Sequence, residues 1–258
     1  LKDIRNRQPL IHCMTNMVVT EWTANGLLAI GASPVMAYAE EEVEDMARAA
    51  NGLLLNIGTL DQPQIEAMVR AGQTANQAGI PVVLDPVGAG ATPFRTKMAR
   101  RLLREVEITL LRGNSGEIAV LLGEEATVSG VEGKSTGDHE TLAQEAAATF
   151  NTMVCVTGEV DAVHNGEKGY LVFNGHPWLS KLVGTGCMLG AVLTAALAVS
   201  DDPLKASCDA LAYYGVAAEQ AYQQSKDQGI GTFKEQFLNQ IHTLSTETIL
   251  REQKIQHV

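Results

Sequence analysis

The residues best suited to chemistry stand directly after apolar runs. Asp85-Pro86-Val87-Gly88-Ala89-Gly90 follows Ile80 to Leu84, Arg112-Gly113-Asn114-Ser115-Gly116-Glu117 follows Ile108 to Leu111, and Thr157-Gly158-Glu159 follows Met153 to Val156. The first offers a carboxylate, the second an arginine with a carboxylate further on, the third a hydroxyl. Asp85 and Glu117 can hold Mg²⁺ directly or through water, while Arg112 meets a phosphate with its planar fork. The same residues also read as ordinary loop chemistry, with Asn114 or Ser115 capping a helix and Glu117 closing a capping box. Their recurrence at successive strand ends favours a site.

A second signal is Leu182-Val183-Gly184-Thr185-Gly186-Cys187-Met188-Leu189-Gly190, which leads into an apolar stretch. Glycines let consecutive N–H groups converge, and a helix starting there adds positive potential, so Gly184, Thr185 and Gly186 can form an anion hole. Such a hole stabilises a transferring phosphoryl group without a lysine. A tight turn that merely allows close helix packing is the alternative. It is less favoured, because a helix apolar on all sides points its N-terminus into the interior or a cleft.

The elements that must position these residues follow from hydrophobic patterning. Apolar runs of strand length are Leu10 to Met14, Leu53 to Ile57, Ile80 to Leu84, Ile108 to Leu111 and Met153 to Val156. Segments of helical period lie between them, such as Asp61 to Ala75. Strands that are continuously apolar belong inside a mostly parallel sheet covered by helices on both faces, an α/β architecture. From Val160 to Phe173 alternation around Asn165-Gly166 predicts a hairpin that adds antiparallel strands at a sheet edge. Cys187 to Val199, Pro203 to Gln224 and Phe233 to about Arg251 read as helices. With no linker or repeat, residues 1–258 read as one domain.

Composition narrows the class. The 258 residues are 45% hydrophobic, ample for a core, so disorder is a poor reading. Lys and Arg total 19 against 30 Asp and Glu, and a net charge of −11 leaves no basic surface for a nucleic-acid backbone. An anionic ligand must therefore be met locally, by a metal, helix N-termini or chosen basic residues. Cys13, Cys155, Cys187 and Cys208 are widely spaced and read as reduced thiols of a cytoplasmic protein. The N-terminal Leu-Lys-Asp-Ile-Arg-Asn-Arg has no signal-peptide core, and its start on Leu suggests a missing initiator segment. The longest apolar run, Cys187 to Val199, falls short of the ~20 residues that cross a bilayer, so no membrane partner is expected.

Two look-alike motifs are set aside. Gly133-Lys134-Ser135 resembles the end of a P-loop, but Val128 replaces its first glycine and no strand leads into it, so it reads as a surface loop. Gly184-x-Gly186-x-x-x-Gly190 lies too late, with too long a last spacing, for a dinucleotide fingerprint. His12 and His176 could contact a ligand but read more simply as structural, and Met14, Met17 and Met36 as core or pocket lining. Cys187 opens a helix, where a thiol pKa tends to fall.

Together, Cys13-Met14-Thr15-Asn16, Ser33-Pro34-Val35-Met36, the Asp85, Arg112 and Val156-Thr157-Gly158-Glu159-Val160-Asp161 segments, and Gly184-Thr185-Gly186-Cys187 resemble the hydroxyethylthiazole kinase family. The last motif resembles the Gly-x-Gly-Asp of ribokinase-like kinases, with Cys187 in place of the aspartate base. The resemblance runs from about Asn6 into the C-terminal helices. It implies a ribokinase-like three-layer α/β/α fold and ATP-dependent phosphorylation of the hydroxyl of 4-methyl-5-(2-hydroxyethyl)thiazole, a thiamine salvage step. It further implies Mg²⁺ and a cytoplasmic homotrimer with active sites between subunits. Carried over by position, Arg112 and Thr157 match ATP contacts, Met36 and Gly184 thiazole contacts, and Asp85 and Glu117 the Mg²⁺ region. Asn16 is a further pocket candidate, and Cys187 with Gly184, Thr185 and Gly186 forms the catalytic motif. The rivals are a hydroxymethylpyrimidine or pyridoxal kinase, an ATP-dependent NAD(P)H-hydrate dehydratase, and a nucleotide-binding regulator without turnover. The enzymes normally carry Asp where Cys187 stands, and intact Asp85, Glu117 and glycines count against the regulator.

Overall fold

The computed structural model describes residues 2–123 and 136–258, so the Gly133-Lys134-Ser135 segment lies outside the described residues. The expected alternation is present. Strands β1 (Leu10–Met14), β2 (Ser33–Val35), β3 (Gly52–Asn56), β4 (Val82–Asp85), β5 (Leu110–Asn114) and β6 (Met153–Thr157) pair in parallel. Strands β7 (Asp161–His164), β8 (Gly169–Val172) and β9 (Ile255–His257) continue the sheet antiparallel. The order β2-β1-β3-β4-β5-β6-β7-β8-β9 makes one continuous mixed sheet.

Helices cover both faces, in chain order α1 (Lys2–Arg7), α2 (Thr20–Ile30), α3 (Val43–Ala49), α4 (Gln62–Gln77), α5 (Pro93–Glu105), α6 (Ser115–Leu122) and α7 (Thr136–Phe150). They continue with α8 (Thr185–Leu197), α9 (Pro203–Ser225), α10 (Ile230–Thr243) and α11 (Thr246–Glu252). Alternate residues of each strand feed opposite cores, because side chains along a strand point to opposite faces. Cys13, Leu54, Val83, Leu110 and Cys155 join the layer of α2, α8, α9 and α10. Met14, Leu53, Leu55, Leu84, Leu111 and Val154 join that of α3 to α7. The three-layer α/β/α expectation therefore holds, and the apolar runs are the strands buried on both faces.

Helix α8 is the most enclosed, with every residue from Met188 to Leu197 buried between β1, β3 and β4 on one side and α2 and α9 on the other. Its uniformly apolar composition is what that double burial requires. The starts of α4 and α5 are set by side-chain caps, Asp61 accepting from Gln64 N and Thr92 from Arg95 N, each followed by a proline in the first turn.

Three expectations change. The apolar runs end before the strands do: Asp85 closes β4, Arg112 lies inside β5 and Thr157 closes β6, because ladder bonding depends on the backbone and continues past the last apolar residue. The hairpin β7–β8 forms, but β9 covers its outer strand. The segment from Phe233 to Arg251 is two helices, because Leu244 is extended and Ser245 caps a new start, accepting from Thr248 N. Strand β2 escapes periodicity because it is three residues long and contains Pro34, which an edge strand tolerates.

Candidate active site

The parallel strands end on one side of the sheet with Asn56 on β3, Asp85 on β4, Arg112 on β5 and Thr157 on β6. Asn56 and Asp85 are ladder partners, as are Asn114 and Thr157, so residues distant in sequence share one rim. The N-terminus of α8 reaches this rim. Gly184 caps it in the left-handed region at φ 90°, a conformation that favours glycine. A Cβ on Gly184 would also stand 2.5 Å from Val19 Cγ1.

No side chain caps α8, and the first helical bond runs from Met188 N to Gly184 O, so the amides of Thr185, Gly186 and Cys187 are free for an anion. Arg112 lies against them: a Cβ on Gly186 would be 3.0 Å from its Nη2. The guanidinium donates from Nη2 to Thr157 Oγ1 at 2.8 Å, while Nη1 stands 3.5 Å from Asp85 Oδ1. The Tyr214 hydroxyl donates to the Thr185 carbonyl at 2.6 Å. In a trans peptide the N–H points opposite the carbonyl, so this bond fixes the direction of the Gly186 amide.

Asp85 is completely buried, with Oδ2 accepting from Asn56 Nδ2 at 2.8 Å and no hydrogen-bond partner for Oδ1. Burial pushes its pKa up to about 7, against the attraction of Arg112. Glu117 is the N3 residue of the α6 capping box: Oε2 accepts from Asn114 N and Oε1 from Gly88 N, each at 2.9 Å. The loop-chemistry reading of Asn114 and Glu117 is thus realised. It leaves each Glu117 oxygen with a lone pair and ties the β4–α5 turn to α6.

Cys187 faces this cluster, its Sγ accepting from Asn16 Nδ2 at 3.4 Å. Burial, reinforced by repulsion from Asp85, raises its thiol pKa, although the Asn56 and Asn16 carboxamides oppose the shift. The lowering expected at a helix start is overturned because desolvation outweighs the dipole.

Of the remaining candidates, Met36 follows β2 and packs against the α8-side core at the sheet edge, outside the hydrogen-bonded cluster. Met14 is core, whereas Met17 is 79% exposed and lines an open cleft with Thr15, Thr20 and Tyr38, so of its two readings the pocket lining holds. His12 is a buried β1 residue bonded to Ala37 O, and His176 caps a 3₁₀ turn and stacks on Tyr222. Sequence reasoning missed Asn56 and Tyr214. A polar residue after Leu53-Leu54-Leu55 was the available signal for Asn56, whereas nothing local marks Tyr214 within α9.

An oxygen-rich site with a buried carboxylate oxygen that takes no hydrogen bond suits Mg²⁺, which takes one or two carboxylates and completes its shell with water and phosphate. Among the described residues no group of three or more His, Cys, Asp or Glu is placed to hold a metal ion, so such a cation would lean on the nucleotide.

The family model described as "Hydroxyethylthiazole kinase family" matches residues 1–247. A hydroxyethylthiazole kinase of Shouchella clausii is 54% identical over 256 residues, covering 99% of this chain and 98% of its own. That of Halalkalibacterium halodurans is 56% identical, covering 95% of each. The solved hydroxyethylthiazole kinase of Pyrococcus horikoshii OT3 is 45% identical, with a TM-score of 0.92 over 100% of this chain and 96% of that one. A pyridoxal kinase of Staphylococcus aureus in complex with AMP-PCP and pyridoxal, 16% identical over 82% of this chain and 87% of its own, has a TM-score of 0.63 and shares the fold. With a family match along nearly all of its length and relatives above half identity, this chain belongs to the hydroxyethylthiazole kinase family.

Proposed function

We propose that this protein transfers the γ-phosphoryl group of ATP to the hydroxyl of 4-methyl-5-(2-hydroxyethyl)thiazole in thiamine salvage, as one ribokinase-like unit over residues 1–258. The observation that carries this reading is the meeting of three features: the free amides of Thr185 to Cys187, the guanidinium of Arg112, and the Asp85 oxygen that faces it without a hydrogen bond. Arg112 and Thr157 bind the nucleotide phosphates, and the α8 amides receive charge as it develops on the transferred group. Asp85 and Glu117 would hold Mg²⁺, directly or through water, and the bound cation would supply charge neutralisation at the phosphates.

Asn16, Met36 and Gly184 receive the thiazole alcohol, whose hydroxyl then faces Cys187. A thiol with a raised pKa is protonated at neutral pH, so Cys187 orients the hydroxyl through a hydrogen bond more than it removes a proton. A loose phosphoryl-transfer transition state asks little of the base, and base catalysis contributes only about 10²–10⁴-fold. Positioning and electrostatics dominate.

The resemblance also carries a homotrimer with sites between subunits. Exposed Met17, Val18 and Val183 form apolar surface where Val19 meets Gly184, the kind of patch a neighbouring subunit covers. Free Cys13, Cys155, Cys187 and Cys208 suit a reducing cytoplasmic setting. The deciding experiment is ADP release from Mg·ATP with and without the thiazole alcohol. Saturable stimulation by the alcohol is expected, and a rate that does not respond to it refutes the reading.

A further inference from the structure

Asn56 closes β3 between Asn16, which follows β1, and Asp85, which closes β4. It is fully buried, and both ends of its carboxamide are hydrogen-bonded. Oδ1 accepts from Asn16 Nδ2 at 2.9 Å and from Gly58 N at 3.0 Å, while Nδ2 donates to Asp85 Oδ2 at 2.8 Å. The Gly58 amide can only donate, so the carboxamide has one orientation, with oxygen toward Asn16 and nitrogen toward Asp85.

Asn16 is held as tightly. Its two amide hydrogens go to Asn56 Oδ1 and Cys187 Sγ, and its side chain lies flat on Gly58, where a Cβ would come within 2.7 Å. A continuous chain of hydrogen bonds thus runs from Asp85 through Asn56 and Asn16 to Cys187, joining the phosphate end of the cleft to the acceptor end. Asp85, Asn16 and Cys187 are site candidates, and the fully buried Asn56 joins them.

We propose that Asn56 is a positioning residue for phosphoryl transfer, which sets the Asp85 carboxylate and the Asn16–Cys187 pair in one fixed geometry. The inference rests on the kinase reading above. Buried networks of this kind hold their members more firmly than separate bonds do, and loss of alignment at a reacting centre costs about 10²-fold in rate.

The test uses Asn56→Leu, which keeps the bulk but makes none of the three bonds, and Asn56→Ser, which is too short to span Asn16 and Asp85. For each, kcat and KM, the dissociation constant of ADP in EDTA by calorimetry, and the melting temperature are measured. The expected result is a kcat lowered by about 10²-fold, with ADP affinity in EDTA within about threefold of wild type because Arg112 and the α8 amides are untouched. Combined with Asn16→Ala, either variant should lose little beyond the larger single effect, since both act through one chain. A folded variant with kcat within about threefold of wild type overturns the proposal. So does metal-free ADP binding that falls in step with kcat, or loss of fold in both variants, which would place Asn56 in the scaffold. Absence of alcohol-dependent turnover in the wild type would refute the kinase reading instead.

Discussion

The burial of Asp85 gives a pH signature that can be read on the protein with metal chelated and no nucleotide present. Its pKa rises from 3.8 to about 7, first through desolvation and then against the pull of Arg112. Between these values the folded chain keeps a proton that the unfolded chain has lost, so stability falls as pH rises and the loss is complete above about 7. At about 1.4 kcal/mol per pH unit, the interval from pH 5 to pH 7 costs about 3 kcal/mol, and the whole shift roughly 4 kcal/mol at most. Asp85→Asn is neutral throughout and escapes this loss. Thermal melts of wild type and variant at equal concentration in EDTA, at half-unit steps from pH 5 to pH 8, should show a gap moving in the variant's favour. At about 2–4 °C per kcal/mol it widens by roughly 6–12 °C up to pH 7 and then levels. Other titrating groups cancel in the difference. The variant should also lose phosphoryl transfer, so stability and activity move in opposite directions. A gap that stays constant across pH 5–8 refutes the reasoning, because it would mean that Asp85 ionises in the folded protein as readily as in the unfolded chain.

Substitutions at two further positions probe the acceptor side and the anion hole. Cys187→Asp should retain or raise turnover and Cys187→Ala should keep residual activity, read by ADP release. Complete loss in both, with melting unchanged, would give the thiol a role beyond orientation. Tyr214→Phe removes the bond that holds the Thr185 carbonyl and frees the Gly186 amide to turn, so kcat should fall by about 10-fold with KM for the alcohol little changed. An unchanged kcat would show that the helix alone orients that amide.

Much of the architecture was legible because it is local. Continuous apolar runs announce strands buried on both faces, Asp61-Gln62-Pro63 announces the start of α4, and Gly184-Thr185-Gly186 announces a helix whose first amides stay free. The residue types at the strand ends likewise pointed to phosphate and cation chemistry. The break at Leu244, the short edge strand β2 and the terminal strand β9 were not legible. Each depends on a partner or a cap rather than on a periodic pattern.

The sequence by itself determined the fold class, the family and the identity of most polar residues at the rim. Tertiary structure alone decided their neighbours. The order β1-β3-β4-β5-β6 sets Asn56 between Asn16 and Asp85, and brings Asn16 to within 3.4 Å of Cys187 across 171 positions of chain. It also decided the ionisation of the site. A helix start alone would lower the Cys187 thiol and an aspartate alone would be ionised, yet both pKa values rise, because burial among strands and α8 removes water that no local pattern encodes.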